Sequence, residues 1–124
     1  MAVTLNTTLR NARANAITTE AGATAKLTIY TAAYAGILVT CTCNATFAPG
    51  ASNGVLTLNS ITTGTATGVG TAAIARLFKT DGTTMVIEGL TVGTSGTNIV
   101  ITNTTIAIND TVAVTSATIT EGNP

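Results

Sequence analysis

The sequence predicts an all-β fold: an antiparallel β-sandwich or jelly roll of about eight short strands with one short N-terminal helix. Three observations lead there. Threonine fills 30 of 124 positions, and a β-branched, uncharged residue used so heavily suits the pleated surface of a sheet. After the first two dozen residues the apolar positions recur with period two, not 3.6. Turn-forming pairs then punctuate the apolar runs, with no alternation of helix and strand that would build a parallel α/β sheet.

The elements follow in order. Residues 5–19 form the one good helical pattern, with Asn6 or Thr7 as cap, Leu9, Ala12, Ala16 and Ile17 near one face, and Glu20-Ala21-Gly22 as the stop. That face is narrow and alanine-rich, so the helix needs a preformed surface to bind. Leu27 and Ile29 then alternate with Lys26, Thr28 and Tyr30, and Ile37, Val39, Cys41 and Cys43 alternate with Leu38, Thr40 and Thr42. Pro49-Gly50 and Asn53-Gly54 mark turns before Val55–Asn59, where Leu56 and Leu58 share a face. Thr62–Thr71 is Gly/Thr-rich and nearly without apolar anchors, which reads as a loop or loose edge strand. Ala72–Lys79 is a strand closed by an Asp81-Gly82 hairpin turn. Thr83–Val92 follows, with Met85 and Ile87 on one face and Glu88 on the other. Gly93-Thr94-Ser95-Gly96 and Asn109-Asp110 are further turns among Ile99/Ile101, Ile106/Ile108 and Val112/Val114. Ile119 has the opposite parity, which predicts a β-bulge near Ser116. Residues 1–124 are thus one domain, with 1–22 a helix or arm and 23–124 the β domain.

Composition narrows the function. Five cations and five anions give zero net charge, so there is no basic patch for nucleic acid, and aromatic platforms for stacking bases are lacking. Near-neutrality also removes electrostatic protection against self-association. No apolar run approaches the length of a membrane span or a signal-peptide core. Cytoplasmic synthesis is expected, and there the four Asn-x-Ser/Thr sequons (at Asn6, Asn44, Asn103 and Asn109) receive no glycan.

The inventory of reactive groups points away from catalysis. Histidine is absent, although it is the usual general acid–base. The carboxylates Glu20, Asp81, Glu88, Asp110 and Glu121 stand singly, mostly at turns or helix ends, and without acid-dense loops they suit calcium poorly. Cys41 and Cys43 are two residues apart on a strand, too few for a metal site and badly placed for a mutual disulfide. They read as buried thiols. Gly64, Gly68 and Gly70 lack the spacing and the Lys-Ser/Thr of a phosphate loop. No catalytic residue, cofactor or metal is expected.

The run Leu77-Phe78-Lys79-Thr80-Asp81-Gly82-Thr83-Thr84-Met85-Val86, with Gly89 and Val92-Gly93-Thr94-Ser95-Gly96, resembles small structural proteins of tailed bacteriophages. So do Asn103-Thr104-Thr105-Ile106-Ala107 and Thr111–Ser116 near the end, and the opening segments Leu9–Ala12, Ala16–Thr19 and Lys26–Tyr30. The resemblance implies a virion component, most like a capsid decoration or cement protein that oligomerises on the outer surface of the head. The partners it implies are the major capsid protein and further copies of the chain (homodimer or homotrimer), with no nucleic acid and no membrane. A tail or baseplate component of the same virion is the nearest alternative, and a glycan-binding adhesin-like module a more distant one. Leu5, Leu9, Arg10 and Arg13 on the N-terminal helix or arm are the candidate contacts to the shell or to other copies.

Overall fold

The structure, a computed structural model, describes residues 5–120. Among the described residues, helix α1 (Thr7–Ala21) precedes eleven strands and one 3₁₀ turn, Ala32–Tyr34. The all-β class and the single short N-terminal helix are both present. The strands are β1 (Lys26–Tyr30), β2 (Ile37–Thr42), β3 (Val55–Thr57), β4 (Gly64–Thr65), β5 (Gly70–Thr71) and β6 (Ile74–Phe78). They continue with β7 (Met85–Gly93), β8 (Ile99–Ile101), β9 (Thr105–Ile106), β10 (Thr111–Val112) and β11 (Val114–Thr120). Seven of them form one sheet in the order β2-β1-β6-β7-β8-β11-β3, and β10-β4 and β5-β9 are separate two-stranded ribbons.

That sheet must curl. Laid flat, seven strands would hold β2 and β3 about 29 Å apart at about 4.8 Å per neighbour. Yet β3 ends at Thr57, and the Thr62 amide already donates to the Thr42 carbonyl on β2. Five residues reach at most about 17 Å. The margins therefore come together around one apolar core that includes Leu27, Ile29, Val39, Cys41, Leu56, Leu77, Ile99, Ile101 and Phe47. Where a two-sheet sandwich or jelly roll was expected, a single curled sheet does the enclosing, and Ile106 and Val112 of the two ribbons are buried in the same core.

Pairing is antiparallel everywhere in the seven-stranded sheet except β7–β8, which are parallel over Val92↔Ile99 and Gly93↔Val100. A parallel pair ordinarily needs a crossover of a dozen or more residues, and only residues 94–98 connect these two. Asn98 makes the short return workable. Its Oδ1 accepts from the Thr91 amide and hydroxyl at 3.1 and 3.0 Å, and its own amide donates to Thr91 Oγ1 at 3.0 Å.

Helix α1 begins and ends where its sequence says. Asn6 Oδ1 accepts from the Leu9 amide at 2.8 Å, and Gly22 of the expected Glu20-Ala21-Gly22 stop caps the C-terminus, with the helix itself running to Ala21 where 19 was expected. Its packed face differs, however. Ala14 and Ala21 are buried and Ile17 packs on the core, whereas Leu9, Ala12 and Ala16 are exposed. Ala14, Ile17 and Ala21, spaced three, four and seven residues apart, form the inward stripe, and the helix packs against β3 and β7. The small side chain at Ala14 lets the helix lie close.

Bulges correct the simple alternation in four places, one of them foreseen. Pairing shifts between Val114 and Ser116, as Ile119 implied. Ile29 pairs with Val39 but Tyr30 with Ile37, so Leu38 is the extra residue. Leu38 joins Val39 inside, and Ile37 turns outward to 55% exposure. Likewise Leu77 pairs with Ile87 but Phe78 with Met85, which separates Met85 from Ile87. Ile87 packs on the core, and Met85 is 48% exposed.

Candidate interaction face

The convex side of β2-β1-β6-β7 collects most of the chain's distinctive chemistry. Residues paired across these strands lie in rows. One row is Ile37, Tyr30, Ile74 and Thr91; the next has Thr40, Thr28 and Arg76; the third is Thr42, Lys26, Phe78 and Met85. The register leaves Glu88 and Gly89 together opposite Arg76, a second bulge in β7, with Gly89 at φ +80°. Thr28 and Thr40 hydroxyls lie 3.2 Å apart, and Lys26 Nζ donates to Thr42 Oγ1 at 3.0 Å.

Both tyrosines of the chain meet on this face. Tyr30 and Tyr34 stand edge to face, with ring centroids 5.2 Å apart and an 81° interplanar angle. The Arg76 guanidinium lies 3.8 Å from the Tyr34 ring centre and 5.3 Å from that of Tyr30. Glu88 Oε2 approaches Arg76 Nε to 3.4 Å, an ionic contact whose alignment falls short of a hydrogen bond. The pair keeps 30% and 53% of its side-chain surface exposed.

Holding Tyr34 there strains the backbone. Ala33 and Tyr34 both sit at φ +57°, a left-handed conformation that costs non-glycine residues on the order of 1–3 kcal/mol each. Local bonds over-determine it. The Thr31 amide donates to the Gly36 carbonyl at 2.9 Å, the Gly36 amide to Thr31 Oγ1 at 2.9 Å, and the Tyr34 amide to the Thr31 carbonyl at 3.1 Å. From the other side the Gly89 amide, set free from the ladder by the bulge, donates to Tyr34 Oη at 2.8 Å. Tyr30 is buried beneath the cluster, so what the face presents is half-buried Tyr34 and Arg76 with exposed Ile37 and Met85, residue types that anchor protein–protein contacts.

The residues singled out in the sequence lie elsewhere. Leu9 is 45% exposed and Arg13 is exposed, one turn apart on α1. Arg10 is half-buried with its guanidinium against Gly54, and Leu5 is half-buried before the helix. The structure does not bring these four onto the tyrosine face. That cluster was missed because Tyr34 belongs to a turn with no strand pattern, although Arg76 alone between buried Ala75 and Leu77 was a usable signal. Cys41 and Cys43 are free, buried thiols. Burial pushes both upward, Cys43 to about 12, with the neighbouring Cys41 adding to the effect and Lys26 opposing it. Thiols held so far from ionisation act as small apolar side chains. Among the described residues no three His, Cys, Asp or Glu side chains gather as a metal would need, and no helix is long and apolar enough to cross a membrane. No family model matches the chain, and no curated protein or solved structure matches it either.

Proposed function

We propose that this chain is a non-catalytic structural protein of a tailed-phage virion, a head decoration protein that binds the outer capsid surface. The class comes from the sequence resemblance described above. The observation that supports a role in contacts is the tyrosine–arginine face, with Ile37 and Met85 exposed beside it. A patch this size binds weakly on its own, but a shell repeats the same contact many times and avidity sums it. Difference density between virions with and without the protein tests the reading. Extra density on the outer head surface is the expected result. Unchanged head density would overturn it, and recovery of the protein with separated tails would move the role to the tail or baseplate.

A further inference from the structure

We propose that Asn53 is a site of spontaneous deamidation whose reactivity is gated by the docking of helix α1. Asn53-Gly54 is the one Asn-Gly pair in the chain. Glycine offers no side chain to hinder its own nitrogen, so this pair is intrinsically the most reactive of the asparagine sites. The Gly54 nitrogen attacks Asn53 Cγ, the amide proton passes to solvent base, and Nδ2 leaves as ammonia. The five-membered succinimide that remains takes up one water at either carbonyl, giving aspartate or isoaspartate. Asparagine and water are consumed, acid and ammonia are formed, and no further reactant is needed.

The native structure restrains that step at the nucleophile. The Gly54 amide donates to Asn11 Oδ1 of helix α1 at 2.7 Å, and Gly54 is buried. A proton held by an acceptor is harder to remove, and a nitrogen held by the bond cannot swing toward Cγ. One helical turn further on, Asn15 Oδ1 accepts from the Ala51 amide at 2.8 Å and fixes the same loop. Asn53 itself is exposed, so water reaches it freely. Both turn residues lie at positive φ, 52° and 75°, between the reciprocal Ser52–Val55 bonds of a two-residue hairpin. Isoaspartate would lengthen that turn by one backbone carbon and dislodge β3 from its register. The site is thus a chemical record of whether the helix is seated.

The full-length chain is incubated in mildly alkaline buffer, and conversion at each asparagine is followed by peptide mass mapping. Asn11→Ala should speed conversion at Asn53 by roughly tenfold, the effect of losing one buried hydrogen bond. Asn11→Asp keeps an acceptor and should stay near the unaltered rate. Equal rates in the unaltered chain and Asn11→Ala would overturn the proposal. So would an unaltered chain that converts as fast as a short peptide of the same sequence. Should Asn11→Ala speed Asn44 and Asn103 as well, it has unfolded, and the unaltered chain decides. In low urea, below the global transition, its Asn53 rate should rise in step with hydrogen exchange at the Gly54 amide. Rates that vary independently would overturn the gating.

Discussion

The two margins of the curled sheet face one physical problem and meet it by different means. Each ends in a strand with backbone groups that water or another chain would otherwise claim. At β2 the answer is main chain. The amides of Thr67 and Gly68 donate to the Leu38 carbonyl and that of Thr62 to Thr42, while Gly64 lies against Val39, Thr40 and Cys41. At β3 the answer is side chain. The strand folds back through Asn53-Gly54, and Asn11 and Asn15 of helix α1 take the loop amides of Gly54 and Ala51. A margin sealed by backbone allows no atom in the way, whereas one sealed by two asparagines tolerates some adjustment. The two ought therefore to break differently.

The largest effect is expected at β2. A Cβ at Gly68 would stand 2.2 Å from the Ile37 carbonyl oxygen, and backbone on both sides leaves little room to yield. Gly68→Ala should cost about 3 kcal/mol, the upper range for overpacking, out of the roughly 5–15 kcal/mol typical of a domain. Urea unfolding checks it as a lower midpoint. An unchanged midpoint would mean that the segment is not seated on β2. At β3, Asn11→Ala should cost less, about 1–2 kcal/mol, for leaving the buried Gly54 amide without its acceptor. The same titration measures it, and Asn11→Asp should recover most of the loss.

This contrast also decides what the sequence could reveal. Period-two patterning located the strands that carry ordinary pairing, and the parity reversal at Ile119 exposed the bulge near Ser116. It failed where a bulge sits between residues of similar apolarity. Ile37-Leu38-Val39 and Met85-Val86-Ile87 hide their extra residue because any of the three could face inward. The Thr62–Thr71 stretch looked empty because its role rests on glycines that bring backbone against backbone, and a missing side chain gives no periodic signal. Curling, likewise, is a property of margins far apart in the chain. The tyrosine–arginine face left no signal beyond Arg76 for the same reason: Tyr34, Arg76 and Gly89 meet only after three strands and a strained turn are in place.

Between the margins, the far end of helix α1 is tied to the β6–β7 hairpin, and there pH gives a finer probe. Asp81 Oδ1 accepts from the Thr83 and Thr84 amides, both at 2.8 Å, and Oδ2 accepts from the Thr84 hydroxyl. The Thr84 hydroxyl, then the amides of Thr84 and Thr83, hold its carboxyl down from 3.8 to about 2. A carboxylate lowered in the folded state binds its proton more readily once unfolded. Its stabilisation is therefore present above about pH 4 and is lost as pH falls toward 2. A carbon-detected titration of the Asp81 carboxyl should give a midpoint near 2, and Thr84→Val should raise it by removing the first of those bonds. A midpoint at the ordinary aspartate value would show the turn open in solution.

The smallest effect belongs to the ion pair that joins this hairpin to the helix. Lys79 Nζ lies 3.0 Å from Glu20 Oε1, close enough to look important. Both side chains are substantially exposed, so water and salt screen the attraction, and ordering two long side chains offsets much of what remains. Glu20→Gln should shift the unfolding free energy by only about 0.3 kcal/mol, and less at high salt. The consequence for the comparison is specific. If helix α1 is held mainly by Asn11, Asn15 and the buried faces of Ala14 and Ala21, then Glu20→Gln leaves hydrogen exchange at the Gly54 amide unchanged while Asn11→Ala accelerates it. A Glu20→Gln chain that exchanged the Gly54 amide as fast as Asn11→Ala would place the hold on the helix at its C-terminal end. The β3 margin would then be sealed by a surface charge pair, with the asparagines following it into place.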